Sequence, residues 1–198
     1  DKLGVIESLM DRVDRILIGG AMAFTFLKAE GRTVGASRVE DDWIETARGL
    51  LRASKEKGCE MILPIDCVVA ERFAADADHR IVGLDECPES WMGLDVGPKT
   101  VDRFQQALAD ARTIVWNGPV GVFEMKAFSR GTYALAEFVA ASDATTIIGG
   151  GDSVAAIRRA GAADKVSFIS TGGGAFLEWL EGKELPGVAA LKEAAEDD

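Results

Sequence analysis

The run IIGGGDSVAAI at residues 147–157 places three glycines, an acid and a hydroxyl between an apolar β-branched stretch and a small-residue stretch with helical spacing. Glycine in regular structure costs roughly 0.5–1 kcal/mol against alanine. Three in succession at a strand-to-helix junction imply that something must approach bare backbone. The first turn of a helix offers unpaired N–H groups and the positive end of its dipole, which together suit a phosphate. Gly150, Gly151, Asp152 and Ser153 are therefore candidate phosphate ligands, with Ser153 offering both its amide and its hydroxyl. A carboxylate beside a phosphate needs a cation, so Asp152 is the candidate Mg2+ ligand, directly or through water. A plainer reading makes the glycines a tight turn and Asp152 an ordinary N-cap.

The run STGGGAF at 170–176 repeats the device without an acid. Gly172, Gly173 and Gly174 would present bare amides to a transferring phosphoryl group or a carboxylate. The third run, WNGPVGVFE at 116–124, opens on the turn signal Asn-Gly-Pro. Asn117 and Glu124 stand out there as polar groups in an apolar stretch, and an acid so placed can accept hydrogen bonds from ribose hydroxyls. A hairpin loop is the plainer alternative. Lys2 reads by itself as a solvated first-turn lysine. His79 has no Ser or Cys motif to accompany it and receives no role. Trp43, Trp91, Trp116 and Trp179 read as packing residues.

Positioning these runs requires strands that end at one edge. Apolar spacing predicts helices over 2–13, 21–31, 40–58, 97–111, 129–142 and 175–182, and strands within 15–20, 60–71 (broken in two by Pro64), 112–119, 144–151 and 165–174. Residues 72–90 read as irregular, with a short strand at RIVGL. Strand and helix alternate, and the strands are apolar on both faces. The fold class predicted is α/β, a doubly wound, Rossmann-like parallel sheet with helices on both faces. In such sheets ligands bind at the carboxyl ends of the strands. The succession of apolar strand, glycines and helix at 16–21, 147–152 and 169–175 then describes a nucleotide cleft.

The composition narrows the classes. A net charge of −11 over 198 residues repels nucleic acid and anionic membranes, so neither is an expected partner. No apolar run approaches the roughly 18–20 residues a bilayer requires. Cys59, Cys67 and Cys87 form no CxxC pair and are odd in number, which points to incidental thiols in a reducing cytoplasm. The sequence contains no G-x-x-x-x-G-K-[ST], and Val154 and Leu177 break the G-x-G-x-x-G pattern, which counts against a dinucleotide oxidoreductase.

Taken in order, DKLGVIESL, IGGAMAFTFLK, WMGLDVGP, IVWNGPVGVFE, IIGGGDSVAA and STGGGAFLEWLEGKELPGV resemble the nucleotide-binding, C-terminal half of phosphoglycerate kinase over nearly the whole chain. The resemblance implies Mg2+-dependent reversible phosphoryl transfer between 1,3-bisphosphoglycerate and ADP, giving 3-phosphoglycerate and ATP, in a cytoplasmic monomer. Position by position, it implies that Lys2 contacts the transferring phosphoryl group and that Gly172, Gly173 and Gly174 steady it. Gly19, Gly20, Gly93 and Leu94 resemble the walls of the adenine pocket. Asn117, Pro119 and Val122 would line the nucleotide site, Glu124 would hold the ribose, and Gly150, Gly151, Asp152 and Ser153 would receive phosphates and metal.

The resemblance also implies a Gly-Gly-Ala-Lys strand end immediately before Asp1 and Lys2, so the first strand of the family domain and one phosphate-binding lysine are missing here. The family's N-terminal domain, with its basic phosphoglycerate site, is likewise absent. Residues 1–184 are expected to form the nucleotide-binding domain and 185–198 to pack toward that second domain. Nucleotide binding without turnover is the expectation for these residues. Two readings compete with it: a Rossmann-like oxidoreductase, which would prefer NAD(H) to ADP, and a non-catalytic module whose glycine turns serve packing alone.

Overall fold

The computed structural model describes residues 2–186, 188 and 189, with only the backbone of Lys2. Of the segment 185–198, expected to face a second domain, only residues 185, 186, 188 and 189 are among the described residues. In chain order the elements are α1 (Lys2–Leu9), β1 (Arg15–Leu17), α2 (Ala21–Ala29), α3 (Ile44–Lys57), β2 (Glu60–Ile62), β3 (Asp66–Ala70), β4 (His79–Gly83), β5 (Met92–Val96), α4 (Pro98–Leu108), β6 (Thr113–Asn117), α5 (Arg130–Ala141), β7 (Thr145–Gly149), α6 (Gly151–Arg159), β8 (Phe168–Ile169) and α7 (Gly174–Leu180).

Parallel pairing joins β1 to β2 and, separately, β6 to β7 to β8. Among the described residues no ladder joins β1 to β6, but the chain just past each strand meets the other: the Gly20 N–H donates to the Val120 carbonyl at 3.2 Å. Helices cover both faces of β7. Ile148 packs with Ala136 and Val139 of α5 and Ile157 of α6, whereas Ile147 packs with Val5 of α1 and Phe176 and Leu180 of α7. Such two-sided covering is why β7 reads as a continuous apolar run. A further core, with Ile62, Phe104, Val120 and Leu135 at its centre, takes Leu17 from β1 and Trp116 from β6 and so spans the two parallel sheets.

Residues 66–96 depart from the expected alternation. β3, β4 and β5 form an antiparallel sheet in the order β4-β3-β5. The connections at 71–78 and 84–91 contain no α-helix to carry a parallel crossover, so the chain doubles back. The strand β5 was not anticipated: its five residues MGLDV begin with glycine in the second place and hold an acid, which masks the apolar pattern. The helix expected over 2–13 ends at Leu9, and the one expected over 40–58 starts with a 3-10 turn at Asp41–Trp43.

Elsewhere the local signals act as their chemistry requires. Pro98 opens α4, where its missing N–H is not needed. Gly58 ends α3 in the left-handed conformation that an L side chain disfavours. The carboxylate of Asp66 is buried and accepts from the N–H groups of Lys99 (3.0 Å) and Thr100 (2.8 Å), filling the first turn of α4 from a neighbouring strand. The Thr100 hydroxyl in turn accepts from the N–H groups of Ile65 and Asp66. Thr100→Val keeps the shape and removes that acceptor inside the core. We expect it to lower the unfolding free energy by about 2 kcal/mol, read from urea denaturation.

Candidate functional site

The glycine runs at residues 19–20, 149–151 and 172–174 share one construction. Each follows a parallel strand and precedes a helix, and the residue before the helix is a glycine at positive φ: Gly20 at 67°, Gly150 at 85° and Gly173 at 52°. None of the three helices has a side-chain cap. At Gly150 a side chain would also press on the amide of Asn117, since an added Cβ would lie 3.1 Å from Nδ2. Asp152, read above as a possible N-cap, instead sits exposed in the first turn of α6, and Gly150 is the capping residue.

Two other helices make the contrast. The first turn of α4 is filled by Asp66, and that of α5 by Asp95, whose carboxylate accepts from the Gly131 N–H at 2.9 Å. The protein therefore supplies its own anion where a helix starts inside the core. At α2, α6 and α7, along the carboxyl edge of the parallel strands, no side-chain carboxylate accepts from a first-turn N–H among the described residues, although α6 carries the exposed Asp152 in its first turn. Open first-turn amides at that edge are sites for an external anion.

Asn117 strengthens this reading. It ends β6 directly opposite Gly149 of β7, and its Nδ2 is buried without a hydrogen-bond partner. A buried amide donor left unpaired costs roughly 1–3 kcal/mol. Its proximity to Gly150 puts that donor at the mouth of α6. Ser153 has a narrower role than its type suggested. Its side chain is fully buried, and Oγ accepts from the Gly118 N–H at 2.5 Å, tying the turn after β6 to α6.

The remaining candidates fall around the same edge. Gly19 lies against Val120, 2.5 Å from an added Cβ to Cγ1, and Pro119 faces Gly20 through its carbonyl. Gly93 lies on the Phe24 ring of α2, and its N–H donates to Ser37 Oγ at 2.8 Å. Leu94 is buried and its carbonyl accepts from the Val122 N–H at 2.8 Å, so the antiparallel sheet grips the turn that follows β6. Glu124 is exposed and takes part in none of the described hydrogen bonds. Gly172, Gly173 and Gly174 are exposed at the start of α7, next to the α6 turn because β8 pairs with β7. Lys2 opens α1, which packs on α7 through Val5, Phe176 and Leu180; its side chain lies outside what is described.

No group of three or more acidic, histidine or cysteine side chains that could cage a metal occurs among the described residues. Asp152 is thus a single carboxylate. That donor set fits Mg2+, which is usually held by one or two carboxylates together with substrate phosphates and water. The thiols are free, and burial pushes Cys67 up to about 12, which leaves it protonated and unreactive at neutral pH.

One residue at this edge was missed from sequence. Asp95 is buried on β5, accepts from the N–H groups of Val96 and Gly131 at 2.9 Å each, and has its pKa raised to about 7 by burial. An acid within MGLDV, between apolar residues and close to two glycines, was the available signal.

A family model of phosphoglycerate kinase matches residues 1–183. The chain belongs to the phosphoglycerate kinase family. A phosphoglycerate kinase of Geotalea daltonii is 59% identical over 194 residues, which are 98% of this chain and 49% of that protein. The solved phosphoglycerate kinase of Coxiella burnetii superposes with a TM-score of 0.94 at 43% identity, covering all of this chain and 50% of that one. The enzyme of Pyrococcus horikoshii gives a TM-score of 0.77 at 30% identity, again over all of this chain and 50% of that one. The chain thus spans about half the length of the phosphoglycerate kinases it matches.

Proposed function

We propose that the chain is the nucleotide-binding part of a phosphoglycerate kinase, with ADP and ATP bound along the carboxyl edge of the parallel strands. The observation that carries this is the buried, unpartnered Asn117 amide beside the uncapped start of α6. The reaction is reversible phosphoryl transfer between 1,3-bisphosphoglycerate and ADP, giving 3-phosphoglycerate and ATP. Residues 1–184 form the nucleotide domain, and residues 185–198 pack toward the part of the protein that binds phosphoglycerate. These 198 residues bind nucleotide without turning it over, as a cytoplasmic monomer that takes neither nucleic acid nor membrane as partner.

Each residue has a defined task. Gly19, Gly20, Gly93 and Leu94 line the adenine pocket, where bare backbone lets a flat ring approach. Pro119 and Val122 shape the turn beside it, and exposed Glu124 accepts from the ribose hydroxyls. The amides of Gly150, Gly151 and Ser153 and the Asn117 side chain donate to the nucleotide phosphates. Asp152 would hold Mg2+, which when bound would supply positive charge to offset that of the nucleotide phosphates. The amides of Gly172, Gly173 and Gly174, with Lys2, steady the phosphoryl group in transit. Little covalent help is needed, because positioning and charge stabilisation carry most of phosphoryl transfer.

Titration calorimetry on the folded chain tests the reading. Mg-ADP should bind, NAD(H) should not compete, and Asp152→Ala should weaken binding at least tenfold with Mg2+ present but little in EDTA. Absence of any adenine-nucleotide binding at millimolar concentration would overturn nucleotide binding by these residues.

A further inference from the structure

We propose that Asp95 is a positioning residue of the nucleotide site: its buried carboxylate holds the 118–131 segment against β5 and so sets nucleotide affinity. The inference rests on the nucleotide reading above for its functional consequence, but its structural half stands apart from it.

The 118–131 segment carries Pro119, Val122 and Glu124, and besides the Gly118–Ser153 and Gly20–Val120 bonds it is tethered to β5 and α5. The Val120 N–H donates to Thr132 Oγ1 at 3.2 Å, the Val122 N–H to the Leu94 carbonyl at 2.8 Å, and the Gly131 N–H to Asp95 Oδ2 at 2.9 Å. Asp95 touches the segment twice more through shape. An added Cβ at Gly121 would lie 2.2 Å from Oδ1, and one at Gly131 would lie 2.6 Å from it. The carboxylate thus fills the space between the two ends of the segment, with Oδ1 fixed by the Val96 N–H. An ionised carboxylate accepts both N–H groups; a protonated one turns an oxygen into a donor and weakens one of them.

No charged side chain hydrogen-bonds to Asp95 among the described residues. Of the titratable groups on the elements around it, Cys67 on β3 is a buried, protonated thiol and the Tyr133 hydroxyl on α5 donates to the Phe123 carbonyl; the charged ones are engaged or exposed. Asp66 on β3 is engaged with α4, and His79 on β4 stacks edge-on against Phe128 at 5.5 Å. Glu124, Lys126 and Arg130 are exposed. Burial raises the Asp95 pKa to about 7, so the switch between the two forms falls near neutrality.

Asp95→Asn preserves the shape and leaves His79 and Asp66 in place, so it separates charge from packing. Mg-ADP affinity should fall at least tenfold at pH 8.5, and the ratio of variant to wild-type dissociation constants should shrink toward one by pH 5.5. The titration of the nucleotide itself cancels in that ratio. Amide exchange supplies the second readout. Protection of Val122 and Gly131 should drop at least tenfold in the variant at pH 8.5, with the amides of α4 unchanged. In the unmutated chain the same two amides should lose protection between pH 8 and pH 5.5, which needs no variant to fold. Unchanged protection at Val122 and Gly131, or an affinity ratio that is constant with pH, overturns the proposal. If the unmutated chain binds no nucleotide, the nucleotide reading fails, and the exchange measurement alone decides whether Asp95 holds the segment.

Discussion

Gly121→Ala is expected to destabilise the chain by about 3 kcal/mol and to abolish measurable Mg-ADP binding at micromolar nucleotide. The added methyl would sit 2.2 Å from Asp95 Oδ1, 2.6 Å from its Cγ and 2.8 Å from the Phe128 backbone oxygen. None of these neighbours has somewhere to go. Asp95 is held by two backbone N–H groups, and the Phe128 side chain is fully buried against Ala70, Ala77 and Leu94. Overpacking of a rigid core costs typically 1–3 kcal/mol, and shifting Asp95 would also break a hydrogen bond to a charged group, worth roughly 1.5–3 kcal/mol. For a chain of this size about 3 kcal/mol corresponds to a Tm lower by roughly 6–12 °C. Gly174→Ala is the matching control. Nothing lies within 4 Å of its added Cβ, and its φ is not in the left-handed region, so its Tm should hold within about 2 °C. Thermal denaturation of both variants decides this, and equal melting of Gly121→Ala and the unmutated chain would refute the packing argument.

The glycine turns were legible in the sequence because their chemistry is local. Three glycines between an apolar strand and a helix state their own geometry, and all three helix starts lie where the spacing put them. The carboxyl-edge placement followed from strand–helix alternation at β1, β6, β7 and β8. What escaped was non-local. Whether a hydroxyl meets a ligand or the backbone depends on the neighbouring strand, so Ser153 could be named but its bond to the Gly118 N–H could not. The antiparallel course of residues 66–96 depends on which strand β3 finds, and its register with β5 even slips between Val68 and Val69. Asp95 escaped for the same reason. Its partner Gly131 is 36 residues away, and only burial makes an ordinary acid into an unusual one. The open first turns of α2, α6 and α7 gained their meaning only beside Asp66 and Asp95, whose carboxylates accept from first-turn N–H groups at α4 and α5.

Asp95 should also impose a pH dependence on folding that runs opposite to that of most carboxylates. Its pKa in the folded chain is raised from 3.8 to about 7. Between those values the folded chain holds a proton that the unfolded chain has released. Stability from this group is therefore complete below about pH 4 and is lost as pH rises through 7. Three units at about 1.4 kcal/mol each amount to about 4 kcal/mol across that window. Asp95→Asn carries no charge at any pH, so subtracting its unfolding free energy from that of the unmutated chain removes the contribution of every other titrating group. The difference should shift by about 4 kcal/mol against the unmutated chain between pH 4 and pH 8, read from guanidinium denaturation at a series of pH values. A difference constant to within about 1 kcal/mol would show that the carboxylate is not desolvated as its burial implies. The fold is thus most stable with Asp95 protonated, whereas the 118–131 segment is held best with it ionised. At neutral pH the chain sits between the two, giving up stability to keep the nucleotide turn in place, as functional sites commonly do.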